Sequence, residues 1–486
     1  MSSQPLANAV KVIPPKEGKI YFSAYPNFIS SKEEIIIVNG EERTRSHDLV
    51  TDAKITNFSK IVPKKLAWSC FDNDWYDRNI HYPRKNILTL HAQGIVPIVR
   101  MLPRSYSNEY INETKYTLKS ISDGKWDKRL IQWARDAKNT KDKEGKSIPI
   151  MIDFALEMNG DWFAWSRPAN NPNDNTRPKR YKAAYKHIID IFRGEGVKNV
   201  TWIFHPNFIS EPDRQWNRAY AYYPGNDYID WIGISLYTSL DPTSWEFFSE
   251  VFAESIVKQG LDKIKKPFAI FEFAATEKND STDPRAQSKS AWLDDAFKTI
   301  LGQNSIQIKA INYWHENWHE DNYNGQNYTQ YTRLKIDSSI ASKNTFNKWI
   351  NNDRFISNTK YSKKTTPAQG TITSVILYEN GMDILGKFNQ NMTFEVYVNA
   401  DNLSTGDIWG NDYILSYADH TLISYSYING KWVEKDTIIK TNQFFVDSES
   451  IYLEFRDNLL ESHYHYSITT FTQDWEEIDT TSGDYY

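Results

Sequence analysis

Two glutamates, Glu157 and Glu272, each close a short apolar run, MIDFALE and PFAIFE. After Glu157 come Asn159, Gly160 and the rings of Trp162, Phe163 and Trp165. A carboxyl among rings and apolar groups suits proton transfer to a glycosidic oxygen, and indoles stack on the apolar C–H faces of sugars. Two carboxyls converging on one sugar could hydrolyse a glycosidic bond. With retention of configuration they stand about 5 to 5.5 Å apart, one protonating the leaving oxygen and the other attacking the anomeric carbon.

The elements that would have to position this pair are legible as a repeat. Eight candidate strands, 19–26, 65–71, 95–103, 148–158, 200–207, 229–237, 268–274 and 306–314, alternate with amphipathic stretches. Helices are expected over 84–93, 128–138, 181–193, 247–259, 289–300 and 342–350. Eight strand–helix units predict a (β/α)8 TIM barrel. Such barrels carry their chemistry at the C-terminal ends of the strands. There the fourth run ends in Glu157, the fifth in His205 and Asn207, the sixth in Tyr237, the seventh in Glu272 and the eighth in Trp314.

The segment ISNTKYSKKTTPAQG reads as a linker, 356–370, after a barrel domain of residues 1–355. Short alternating β runs with Asn-Gly and Asp-Asn turns follow over 371–486 and predict a small all-β accessory domain, a β-sandwich. Trp409 and Trp432 are two of its three tryptophans, and glycan binding there is left open.

A net charge of −5 over 486 residues argues against nucleic acid as a partner, and no segment has membrane-spanning length. Aromatic residues make up 15% of the chain, more than a core needs, which places some on binding surfaces. The single cysteine, Cys70, excludes an intramolecular disulfide and reads as a buried strand thiol. The N-terminus has no signal-peptide pattern, so the chain is either cytosolic or has had its leader removed.

The string Glu157-Met158-Asn159-Gly160-Asp161-Trp162-Phe163-Ala164-Trp165 resembles the acid/base motif of glycoside hydrolase family 26, the β-mannanase family. Residues 222–233, YYPGNDYIDWIG, resemble that family's entry to the sixth strand, and PFAIFEF at 267–273 its nucleophile strand. The likeness covers about residues 19–350. It implies that Glu157 is the acid/base and Glu272 the nucleophile. Tyr237 would orient that nucleophile, with Trp162 and Trp314 around the cleaved sugar. Two positions depart from the family pattern: Leu156 stands where a histidine is usual and Asp153 where an arginine is usual. Asp153 shares a strand face with Glu157 and is expected to pair with Arg100.

Trp165, His205 and Asn207 complete the expected substrate contacts. His315-Glu316-Asn317-Trp318-His319 has the spacing of a zinc motif that works only on a helix, and here it follows a strand, so no metal is expected. The oxygen-rich loop 170–175 reads as a solvated loop rather than a calcium site. The chain therefore reads as a monomeric, cofactor-independent, retaining endo-glycosidase acting on a β-linked polysaccharide or oligosaccharide. The resemblance implies β-1,4-mannan first, then mixed-linkage β-glucan or β-xylan. The reading from another class is a non-hydrolytic carbohydrate-binding protein on a barrel scaffold.

Overall fold

Each of the eight apolar runs becomes a strand: β1 (Ile20–Tyr25), β2 (Trp68–Asp74), β3 (Val96–Leu102), β4 (Ile150–Phe154), β5 (Val200–Phe204), β6 (Trp231–Tyr237), β7 (Phe268–Ala274) and β8 (Ile308–Trp314). A ninth, β9 (Phe355–Ile356), lies beyond them. This computed structural model describes residues 11–30, 34–38, 41–76, 80–167, 174–237, 246–277, 288–302, 306–320 and 330–362, and ten strands between 372 and 485.

Strands β2 to β8 pair in chain order, all parallel, and β8 pairs with β1, giving a TIM-like barrel. Their residues are almost all buried, as parallel strands covered on both faces must be. Around them run α1 (Asp52–Ile61), α2 (Arg84–Ala92), α3 (Asp127–Asn139), α4 (Arg177–Gly194), α5 (Phe248–Lys258), α6 (Lys289–Leu301) and α7 (Ile340–Ile350). Helix α1 was not anticipated, although its start is written in the sequence, because the Thr51 hydroxyl accepts from the Lys54 N–H. Between β5 and β6 the chain makes only short turns of helix, such as Ala219–Tyr222.

The seam between β1 and β2 closes differently from the other seven. Ala67 N–H donates to Phe22 O at 2.8 Å. Trp68 N–H then donates to Ser23 Oγ at 3.0 Å, and Ser69 Oγ donates to Ala24 O at 2.7 Å. Below these contacts β9 pairs with Ile20 and Tyr21, filling the gap where the two strands splay. A further short pair joins Val12–Ile13 to Lys360–Tyr361. Residues 356–361, expected as linker, are thus built into the base of the barrel, and the compact unit runs to Lys364. The polar composition of this stretch hid the pairing.

Inside the barrel an aromatic plug lies at the N-terminal ends of the strands. Trp68 meets Trp231 edge-on at 5.5 Å and Tyr21 at the same distance, and the Trp231 indole N–H donates to Val12 O at 2.7 Å. Gly233 makes room for Phe271, since a Cβ there would lie 2.5 Å from that ring and 2.1 Å from Ala269 O. A buried polar layer rests on the plug: Cys70, Arg100, Asp153, His205, Ser235, Glu272 and Asn312. The residues at the C-terminal ends of the strands are therefore carried on a packed floor.

The second compact unit, Thr365–Tyr486, holds two antiparallel sheets. One has four strands between Ile372 and Glu454, and the other six between Thr393 and Tyr485. The sandwich expectation concerns how these sheets face each other through side chains outside the described residues. The Trp432 side chain and Trp409 lie outside them too.

The seam makes a stability prediction. Ser23→Ala leaves the buried Trp68 N–H without its acceptor and should cost about 1–3 kcal/mol, whereas Ser69→Ala, which only removes a donor from a carbonyl, should cost about 1 kcal/mol. Urea denaturation of the two variants measures the difference.

Candidate active site

Strand β4 stops at Phe154, short of the expected end at Met158, because the backbone leaves the extended region. Ala155 and Glu157 sit at φ 47° and φ 52°, in left-handed territory that costs an L-residue about 1–2 kcal/mol. Neighbouring groups hold them there. Ala155 N–H donates to Met101 O at 3.1 Å and Glu157 N–H to His205 O at 2.6 Å. The Trp165 indole N–H donates to Leu156 O at 2.7 Å. Buried Asn159 locks the exit to the next loop, its amide donating to Asn207 O at 2.9 Å and Ile209 O at 2.7 Å while its oxygen accepts from Asn207 N–H at 2.8 Å.

Gly160 is where the chain folds a ring back onto its own turn. A Cβ at this position would lie 2.5 Å from the Trp162 indole. With glycine there, the Trp162 N–H reaches Glu157 Oε2 at 2.8 Å. The Arg177 guanidinium donates to Gly160 O and steadies the turn from behind. Glu157 is left 6% exposed, with one donor fixed on one oxygen.

Glu272, on β7, is gripped from two sides. The Tyr237 hydroxyl donates to Oε2 at 2.6 Å, and Arg100 Nη1 stands 3.3 Å from Oε1. Arg100 is shared, its Nε lying 3.2 Å from Asp72 Oδ1. Burial raises the Glu272 pKa to about 7; Arg100 pulls it down, the charge of Glu157 pushes it up, and the Tyr237 hydrogen bond lowers it again. The two glutamates therefore feel each other across the mouth, as a pair working on one bond would.

Asp153 does not pair with Arg100, although the two are register partners on β4 and β3. Its Oδ2 lies 2.7 Å from His205 Nδ1, and His205 Nε2 lies 2.8 Å from Ser235 Oγ. Arg100 is instead taken by Asp72 and Glu272. Burial alone would lower the His205 pKa, but the charge and hydrogen bond of Asp153 outweigh it and the pKa rises. Both ring nitrogens face protein groups, so His205 is placed under the site rather than at its surface.

Trp165 and Asn207, expected as substrate contacts, are also buried and tied to neighbouring groups. Trp165 is 7% exposed and stacks on Phe163 at 4.7 Å, and Asn207 spends its backbone on Asn159. Trp314 lines the mouth but is itself stacked on Tyr25 at 4.0 Å, with the Arg100 guanidinium 4.9 Å from its ring centre. The half-buried ring that accompanies it is Trp318, 4.9 Å from Tyr237 and 6.5 Å from Trp314. Sequence reasoning missed Trp318, which was read only as filler in the zinc-like string.

In that string His315 Nδ1 accepts from Ile336 N–H at 3.0 Å and its ring packs edge-on against Phe58 at 5.2 Å. The His319 side chain and residues 170–173 of the oxygen-rich loop lie outside the described residues. Among the described residues no group of three or more His, Cys, Asp or Glu is placed to hold a metal ion.

Gly160→Ala tests the ring placement. It should drive Trp162 off Glu157 and lower stability by about 1–3 kcal/mol, read by denaturant unfolding together with a changed tryptophan emission of the folded state.

Comparison with known proteins bears on this mouth directly. The model of Glycosyl hydrolase family 26 matches residues 104–272, a span that contains Glu157 and Tyr237 and closes on Glu272. Endoglucanase H of Acetivibrio thermocellus is 32% identical over 213 residues, 43% of this chain and 21% of that protein. Mannan endo-1,4-beta-mannosidase of Bacillus subtilis is 28% identical over 150 residues, 30% of this chain and 36% of that one. The chain thus spans between a fifth and about a third of the length of these relatives. Among solved structures, a modular endo-beta-1,4-mannanase from Cellulomonas fimi superposes with a TM-score of 0.48 at 12% identity over 99% of both chains, too distant to carry residue roles across. The family model thus lies across the site with the quoted motif at its centre, and residues 104–272 of this chain are similar to glycosyl hydrolase family 26.

Proposed function

We propose that the barrel unit is a retaining endo-glycosidase acting on a β-linked polysaccharide, with β-1,4-mannan as its first substrate. The observation that carries this is the pair of buried glutamates at one barrel mouth, electrostatically coupled, one held by an indole N–H and the other between a phenol and a guanidinium. Relatives named mannan endo-1,4-beta-mannosidase support mannan, and the endoglucanase name of another keeps β-glucan next in line.

Glu272, as carboxylate, attacks the anomeric carbon while Glu157 gives its proton to the departing oxygen, leaving a glycosyl ester on Glu272. Glu157, now a carboxylate, takes a proton from the water that attacks the same carbon and frees Glu272. Tyr237 and Arg100 fix the two Glu272 oxygens, one each, and so aim the carboxylate without sealing either oxygen in a second bond. Asp153, through His205, holds the carbonyl on which the Glu157 N–H rests.

Purified β-mannans, β-glucans and β-xylans should separate the substrates, with mannan releasing reducing ends fastest; inertness on all of them would leave the non-hydrolytic binder. The two glutamates are told apart by azide. In Glu157→Ala the ester forms on an activated aryl glycoside but lacks its base, so azide should release a β-glycosyl azide. In Glu272→Ala no ester forms, and azide entering the vacated side should give the α-glycosyl azide. Exchanged products would reverse the roles.

The pH profile follows from Glu272. The nucleophile must be ionised, so kcat/KM should climb as pH rises through about 7. Tyr237→Phe removes a donor that favours the carboxylate, which moves this acid limb to higher pH and lowers kcat/KM about 10- to 100-fold on the plateau. A limb unmoved in Tyr237→Phe would assign it to another group.

A further inference from the structure

The charges at the mouth do not match one to one. Arg100 and Arg104 are shared among Asp72, Asp74 and Glu272. Asp48 and Glu316 take no share of these cations. Asp48 is nonetheless satisfied, because Tyr25 OH donates to it at 2.8 Å and Asp72 N–H at 2.8 Å. Glu316 is not: it is 6% exposed, and among the described residues no hydrogen bond or ion pair reaches it. Its carboxyl oxygens are not among the fully buried unpartnered atoms, so what little of the side chain is open is the carboxyl itself, and a largely desolvated carboxyl without a protein partner is free to take a ligand.

The position of Glu316 says which ligand. It follows β8 at the second residue after Trp314, so alternation returns it to the face of Trp314, while His315 between them turns outward to Phe58 and Ile336. Tyr25, stacked on Trp314 at 4.0 Å, carries Asp48 on its hydroxyl and ties that acid to the same corner.

We propose that Glu316 is a specificity residue, its carboxyl binding a ring hydroxyl of the sugar whose anomeric carbon faces Glu272. This rests on the hydrolase reading above. The chemistry of the corner agrees with it. Burial raises the Glu316 pKa to about 8, with Asp48 and Asp72 pushing the same way, Arg100 opposing and Glu272 adding to the rise. Asp48 is raised to about 7, by burial and by Asp72. Lys54 is the other charged side chain that feels both acids. Near neutrality Glu316 is therefore a carboxylic acid with one O–H to give and a carbonyl oxygen to receive, which is the complement of a sugar hydroxyl. A site built to bond a hydroxyl rejects the sugar that lacks it, since the buried acid is then left unpaired.

The test pairs the protein with aryl β-glycosides in which single ring hydroxyls are replaced by hydrogen. In the unmodified chain, loss of one particular hydroxyl should lower kcat/KM about tenfold or more. In Glu316→Leu the parent glycoside should fall by a similar factor, and loss of that same hydroxyl should then cost nothing further. Penalties at the other hydroxyls should stay as they were. Glu316→Gln, which keeps a donor and an acceptor, should restore most of the lost activity, and circular dichroism reports whether each variant is folded. Should Glu316→Leu fail to fold, Glu316→Ala, which removes the same donor and acceptor, takes its place and must abolish the penalty at that one hydroxyl alone. An unchanged pattern of penalties in folded Glu316→Leu or Glu316→Ala overturns the assignment. An unmodified chain inert toward every aryl β-glycoside overturns the hydrolase reading instead, and this inference with it.

Discussion

The backbone between Ala155 and Glu157 is held against its own preference, and the mouth of the barrel depends on that hold. Two residues with side chains occupy a conformation they ordinarily avoid, and the opposing force comes from bonds made by residues distant in sequence: Met101 O, His205 O, and the Trp165 indole on Leu156 O. Without the turn, Glu157 would continue the alternation of β4 and its side chain would meet the same layer as Asp153. With it, the carboxyl rises to the Trp162 N–H. Leu156, the departure from the family pattern, is fully buried here and contributes its carbonyl rather than its side chain to the arrangement.

Beneath the mouth, polar groups are arranged so that almost every charge has a counterpart on a neighbouring strand or across the barrel. Asp153 on β4 faces His205 just past β5, His205 faces Ser235 on β6, and Arg100 on β3 reaches both Asp72 on β2 and Glu272 on β7. Such a layer is stable only when nearly complete, because an unpaired charge at this depth is penalised by several kcal/mol. That is why the Asp153 departure and His205 belong to one design: the aspartate supplies the counter-charge that an imidazole at this depth requires.

Much of this was legible. Eight short apolar runs alternating with amphipathic stretches specify eight parallel strands, since a strand covered on both faces is continuously apolar, and their C-terminal ends named Glu157, Tyr237, Glu272 and Trp314. Choices among partners could not be read from spacing. Arg100 sits in VPIVRML, where a buried cation demands an acid, and strand alternation favoured Asp153. The winner was decided by which carboxylates converge across the barrel axis, a matter of tertiary distance. The destination of the Trp165 indole N–H, Leu156 O, is likewise a matter of tertiary structure that residue type does not carry. The strand Phe355–Ile356 was hidden for a different reason, being too short to carry a period.

That last strand changes how the barrel must come into being. The groups that close the gap beneath β1 and β2 are among the last of the barrel to be synthesised, while the strand they pair with is among the first. During translation β1 therefore waits with part of one edge open until Ile356 has left the ribosome, and the barrel can finish only as its own tail returns to its head. A separately expressed barrel ended at residue 355 would cut through this closing strand, leaving Ile20 and Tyr21 with an exposed edge of the kind that invites pairing with another chain. Where the barrel stops as a folding unit is thus set by a staple of a few residues, not by the last helix.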